Sequence, residues 1–115
     1  MVVDSLPDET TDRIFQALAD KTRRDILVRA VLEEQSVSAL ARHYEMSFAA
    51  VQKHVAVLER ATLVTKRRRG REQMVQGNTA TLRSAAELLA AYEALWAERV
   101  TQIAAVLAAE EGDTT

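Results

Sequence analysis

Cysteine is absent from the 115 residues, which excludes disulfides and thiolate metal sites. Proline occurs once, at Pro7, and glycine three times, so few turns and long helices are expected. Aromatic residues make up only 4% while apolar residues reach 48%. The apolar content is therefore mainly Ala, Leu and Val, which favours helix and a packed core over disorder. No apolar run approaches the roughly 18–20 residues of a membrane span. The first residues, Met1 to Asp12, are acidic and lack an apolar signal core, so a cytoplasmic location is the expectation. A chain of this length holds about one domain.

Positive charge is in deficit overall, with a net charge of −2, but it is unevenly placed. Residues 36–78 contain eight basic residues (Arg42, Lys53, Arg60, Lys66, Arg67, Arg68, Arg69, Arg71) against three acidic ones (Glu45, Glu59, Glu72). That stretch carries +5, and the remainder of the chain carries −7. A basic segment on an acidic body suggests a surface that meets a polyanion.

Hydrophobic periodicity divides the chain as follows. Residues 1–9 read as a flexible lead and 10–109 as one domain, with a disordered tail at 110–115. A first helix is expected over 10–19, with Ile14, Phe15 and Leu18 on one face. Asp20 caps a second helix to about Glu34. Ser38 caps a short third helix over 39–45, and Ser47 caps a fourth over 48–61, in which Val51, Val55 and Leu58 face inward. Two helices joined by so short a break, over 38–61, make a helix-turn-helix. Residues 63–77 then read as a two-stranded hairpin turning at Gly70-Arg71, a wing. From 79 to 109 runs one uninterrupted helical pattern with Leu82, Leu89, Trp96 and Ile103 seven residues apart. The expected fold is mainly α with a small two-stranded β-wing, in the order α-α-α-α-β-β-α.

Chemistry is expected in two places. The second helix of a helix-turn-helix enters the major groove by its N-terminal residues. With Val51, Val55 and Leu58 inward, Ser47, Phe48, Ala49, Gln52 and Lys53 are left to face DNA. Gln can read adenine, Phe or Ala can touch a thymine methyl, and Lys can meet guanine or phosphate. His54 is placed with them as a phosphate donor or as packing at the core edge. An ordinary helical hairpin with solvated polar residues is the alternative. The second place is the wing, where Lys66, Arg67, Arg68, Arg69 and Arg71 can grip phosphates or the minor groove. A charged edge that resists strand pairing and a nuclear-localisation-like cluster are the alternatives.

The long last helix exceeds what a small core can cover, which favours pairing with a second copy. The interface is assigned to Leu89, Tyr92, Trp96, Val100 and Ile103, with Ile14 and Phe15 beside them. His43 and His54 lie on different helices without ligand-spaced partners. No glycine loop cradles phosphates and no catalytic constellation is visible. No metal, cofactor or enzymatic activity is therefore expected.

The stretch Phe15-Gln16-Ala17-Leu18-Ala19-Asp20-Lys21-Thr22-Arg23-Arg24 resembles the start of ArsR-type winged-helix repressors, which have proline where Lys21 stands. The likeness continues through Ser36 to Tyr44, Met46-Ser47, residues 51–59, Leu63-Val64 and Arg69-Gly70-Arg71-Glu72, and so spans about residues 13–78. The resemblance implies a homodimer that binds an inverted-repeat operator in double-stranded DNA and regulates negatively. It also implies a branch without metal sensing. The family's thiolate positions fall on Ser36 and Ser38 here, and the last helix has no histidine. An inducer is either absent or not readable. Two departures concern local geometry: Thr62 stands where relatives have glycine, and Gly77 where they have a large apolar residue. A winged-helix module that binds protein instead of DNA is the rival reading.

Overall fold

The computed structural model describes residues 6–112. Its elements are α1 (Asp8–Leu18), α2 (Lys21–Leu32), β1 (Gln35–Ser36), α3 (Val37–Ala41), α4 (Phe48–Arg60), β2 (Val64–Arg69), β3 (Glu72–Gly77) and α5 (Thr79–Gly112).

Helix α1 begins earlier than the pattern suggests because Pro7 occupies its N-cap and accepts from the Thr11 amide. Proline's fixed φ suits a helix entry, and Asp8 and Glu9 in the first turn complement the helix dipole. Residues 8 and 9 thus belong to the helix, while 1–5 of the expected lead lie outside the described residues. Asp20 caps α2, its carboxylate accepting from the Arg23 amide at 2.9 Å. The two helices are locked at this corner by arginines. Arg23 donates to the carbonyls of Gln16 and Ala17, and Arg24 to that of Leu18, so α2 side chains satisfy the open carbonyl end of α1.

Three expectations need correction. Helix α3 is capped by Ser36, not Ser38: the Ser36 hydroxyl oxygen accepts from the Ala39 amide at 3.0 Å. Both serines are good caps by type, but Ser36 is held extended by its pairing with Met74. The sheet has three strands, not two, in the antiparallel order β1-β3-β2. Two residues of β1 are too few to show a period. Helix α5 runs to Gly112, so 110–112 of the expected disordered tail are helical; residues 113–115 lie outside the described residues.

The core joins the five helices to strands β2 and β3. Ile14 and Ala17 of α1, Ile26, Leu27 and Ala30 of α2, and Val37 and Leu40 of α3 meet Val51, Val55 and Leu58 of α4. Leu63 just before β2, Val64 and Val75 of the sheet, and Ala85 of α5 close it. The wing turns at Gly70, whose φ of +64° is a left-handed conformation natural to glycine. Thr62 also sits at φ +60°, a strained position for a β-branched residue. Its hydroxyl lies 3.2 Å from that of buried Thr81, linking the exit of α4 to the start of α5.

Helix α5 contributes only its beginning to this core. Thr81, Ala85 and Leu88 are buried, and every residue from Tyr92 to Gly112 is exposed. Thirty-four residues make a rod of about 51 Å at ~1.5 Å per residue, and the molecule extends 77 × 29 × 21 Å.

Candidate nucleic-acid interface

Ser47 sets the start of α4. Its hydroxyl oxygen accepts from the Ala50 amide at 3.1 Å, which leaves the hydroxyl proton free to donate outward. Burial of Val51, Val55 and Leu58 then fixes the rotation of the helix. Phe48, Ala49, Gln52 and Lys53 face solvent as a result, and Phe48 is 47% exposed. None of their side chains has a hydrogen-bond or ion-pair partner among the described residues.

Of its two expected places, His54 takes the one at the core edge and not the one on the reading face. It is half-buried and turned toward α2, with Nδ1 3.4 Å from Arg23 Nη1 and 3.9 Å from an Asp20 oxygen. It belongs to the joint between α2 and α4, and is not presented with Gln52 and Lys53. The same joint holds the Asp20 carboxyl below its usual range, mainly through the Arg23 amide it accepts from.

The wing's cations divide into two groups. Lys66 leans back on Glu59 of α4 at 3.3 Å. Arg67 forms a two-pronged pair with Glu34 just past α2, its Nε donating at 2.9 Å. That pairing holds the Glu34 carboxyl low and the Arg67 guanidinium high. Arg68, Arg69 and Arg71 are exposed, without ion-pair partners among the described residues, and cluster about the Gly70 turn. Glu34 and Glu59 were missed as partners by sequence reasoning. Glu34 lies 33 residues from Arg67, and no local pattern links them.

Behind the turn before α4, Tyr44 and Arg29 both donate to the Asp25 carboxylate. The hydrogen bond from Tyr44 is the main reason Asp25 stays below its usual range. Burial, then Asp25, pushes the Tyr44 phenol up to about 12. This network fixes the segment that leads into α4.

The expected pairing face lies on α5. Leu89, Tyr92, Trp96, Val100 and Ile103 are all exposed, Trp96 at 67%. Phe15 of α1 is also partly open, at 38%. Ile14 is a correction: at 1% exposure it is a core residue of the protomer and is not available to a second chain. Among the described residues no group of three or more His, Asp or Glu side chains is placed to hold a metal, and no helix is long and apolar enough to cross a membrane.

No family model matches the chain. It is 36% identical over 103 residues to a helix-turn-helix-type transcriptional regulator of Mycobacterium tuberculosis, covering 90% of this chain and 94% of that protein. Among solved structures it resembles an ArsR-like transcriptional regulator from Rhodococcus at 32% identity and a TM-score of 0.76, over 85% of this chain and 92% of that one. At the level of fold it also matches a homodimeric winged helix-turn-helix DNA-binding domain from Mycobacterium bovis. That likeness has a TM-score of 0.62 at 23% identity, over 78% of this chain and 90% of that one. With its four helices, winged sheet and long last helix, the chain belongs to the ArsR family of winged helix-turn-helix transcriptional regulators.

Proposed function

We propose that this protein is a sequence-specific DNA-binding regulator that acts as a homodimer on an inverted-repeat operator and represses by occluding promoter DNA. The observation that carries the reading is the open face of α4. Phe48, Ala49, Gln52 and Lys53 stand exposed on a helix whose other face is locked into the core, beside a wing tip of three exposed arginines. Gln52 and Lys53 are the base readers, Phe48 and Ala49 offer apolar contact, and the Ser47 hydroxyl donates to a phosphate. Arg68, Arg69 and Arg71 grip the backbone beside the major groove.

Dimerisation supplies the second half-site. The exposed stripe of Leu89, Tyr92, Trp96, Val100 and Ile103 pairs with its copy, with Phe15 at its margin. No metal, cofactor or catalytic step is part of this proposal, in which the polar clusters described above serve helix capping and inter-helix pairing. Salt-dependent gel shift on promoter fragments tests the reading. Specific retardation that survives excess competitor DNA supports it. Failure to bind any duplex at low salt favours a module that docks protein instead.

A further inference from the structure

Arg13 of α1 and Arg60 at the end of α4 face one shallow groove of about 210 Å³, together with Gln16 and Val57. The other arginines of α1, α2 and α4 are all engaged: Arg23 and Arg24 close the end of α1, and Arg29 pairs with Asp25. The Arg13 and Arg60 side chains have neither a hydrogen bond nor an ion pair among the described residues. The carboxylates nearest in sequence do not answer them. Glu59 is taken by Lys66 at 3.3 Å, and neither Glu9 nor Asp12 is paired with Arg13.

Two like charges directed into one concavity repel, and an anion between them reverses the sign of that interaction. Guanidinium forks match the oxygens of a phosphate in pairs. The Gln16 side-chain amide adds a neutral donor, and Val57 gives the groove an apolar wall that sharpens electrostatic attraction. The groove also lies in line with Lys53 along α4, where Lys53, Val57 and Arg60 follow at helical spacing.

We propose that Arg13, Gln16 and Arg60 form a phosphate-binding site in the groove between α1 and α4, separate from the wing. Its ligand is a phosphate group, either of the DNA backbone or of a free anion. The DNA alternative rests on the function proposed above; the free-anion alternative does not.

The test uses the full chain and the double substitution Arg13→Gln/Arg60→Gln. Both positions are exposed on helices and glutamine is a good helix former, so the melting temperature without ligand should stay close to wild type. Calorimetric titration with inorganic pyrophosphate at constant ionic strength forms one arm. The salt dependence of binding to a mixed-sequence duplex forms the other. Binding of pyrophosphate that weakens about tenfold or more in the double variant assigns the site to a free anion. A salt slope flattened by roughly one to two units, with no pyrophosphate binding, assigns it to the DNA backbone. Wild type and variant alike in both arms would overturn the proposal. So would a variant that becomes monomeric in sedimentation, because the arginines would then belong to contacts with the second copy. If wild type bound no DNA at all, the function proposed above would fail, and the pyrophosphate arm would still decide the site.

Discussion

Arg67 in the wing and Glu34 just past α2 are joined by a two-pronged ion pair across 33 residues of sequence. The pair ties β2 to the helical body and removes one cation from the surface open to a polyanion. The wing is therefore a braced arm with a free tip, because Lys66 and Arg67 hold its base while Arg68, Arg69 and Arg71 remain exposed.

Single alanine substitutions along the wing should then differ in kind. Arg69→Ala and Arg71→Ala should each flatten the salt slope of DNA binding by roughly one unit, as a lost phosphate contact does. Arg67→Ala should leave the slope nearly unchanged and loosen the wing, seen as faster amide exchange in β2 and β3. The Glu34 carboxyl is held below its ordinary value of 4.5 by Arg67. Bracing is therefore complete above that value and fades as pH falls through the lowered one. Equal slopes for all three variants would contradict the division of labour.

Gln52 is exposed on α4 one turn from Phe48. Gln52→Ala should relax base preference at one position per half-site, with a loss of about 1–3 kcal/mol at the preferred base. Non-specific affinity should change little. Selection of binding sequences by the variant is the check, and an unaltered preference would remove Gln52 from the reading surface.

Gly77 and Thr62 carry opposite predictions for stability. A Cβ on Gly77 would lie 2.5 Å from Val31 Cγ2 and 2.9 Å from the Val31 Cα. Gly77→Ala should therefore destabilise by about 1–3 kcal/mol through overpacking. Val31→Ala should rescue it only in part, since the backbone contact persists. Asparagine tolerates the left-handed conformation that strains Thr62, so Thr62→Asn should raise stability by about 0.5–1 kcal/mol, provided its side-chain amide takes over the bond of the hydroxyl to Thr81. Thr62→Val keeps the strain, gives up the bond to Thr81 and should lower stability by about 0.5–1.5 kcal/mol. Denaturant midpoints of the four variants decide each sign.

Trp96, at 67% exposure on a single chain, should be the anchor of the pairing face, because large aromatics dominate interface energetics. Trp96→Ala should weaken dimerisation by about 2 kcal/mol or more and lose operator affinity without touching DNA. The protomer should keep its secondary structure, since the residue takes no part in the core. A variant that sediments as a full dimer at micromolar concentration would assign the stripe to another partner.

Long periodic segments were legible in the sequence. The face of α4 was read from Val51, Val55 and Leu58, and the start of α2 from Asp20, because both are set by local periodicity and capping. What escaped depends on distant contacts. Strand β1 exists only through β3, and the Ser36 cap follows from that pairing. Ile14 and Phe15 are neighbours on one apolar stripe, and only the packing of α1 against α2 and α4 decides that Ile14 is core while Phe15 stays partly open. In the same way, the pattern of α4 leaves His54 either on the reading face or at the core edge, and only the packing of α2 against α4 turns it toward Arg23 and Asp20.

The proposed function needs two recognition helices held apart by paired long helices, and enrichment of random duplex DNA on the purified protein tests this most directly. It predicts an inverted repeat whose half-sites lie about one helical turn apart, ~34 Å from centre to centre. A single unrepeated motif, or no enrichment over input, would contradict it.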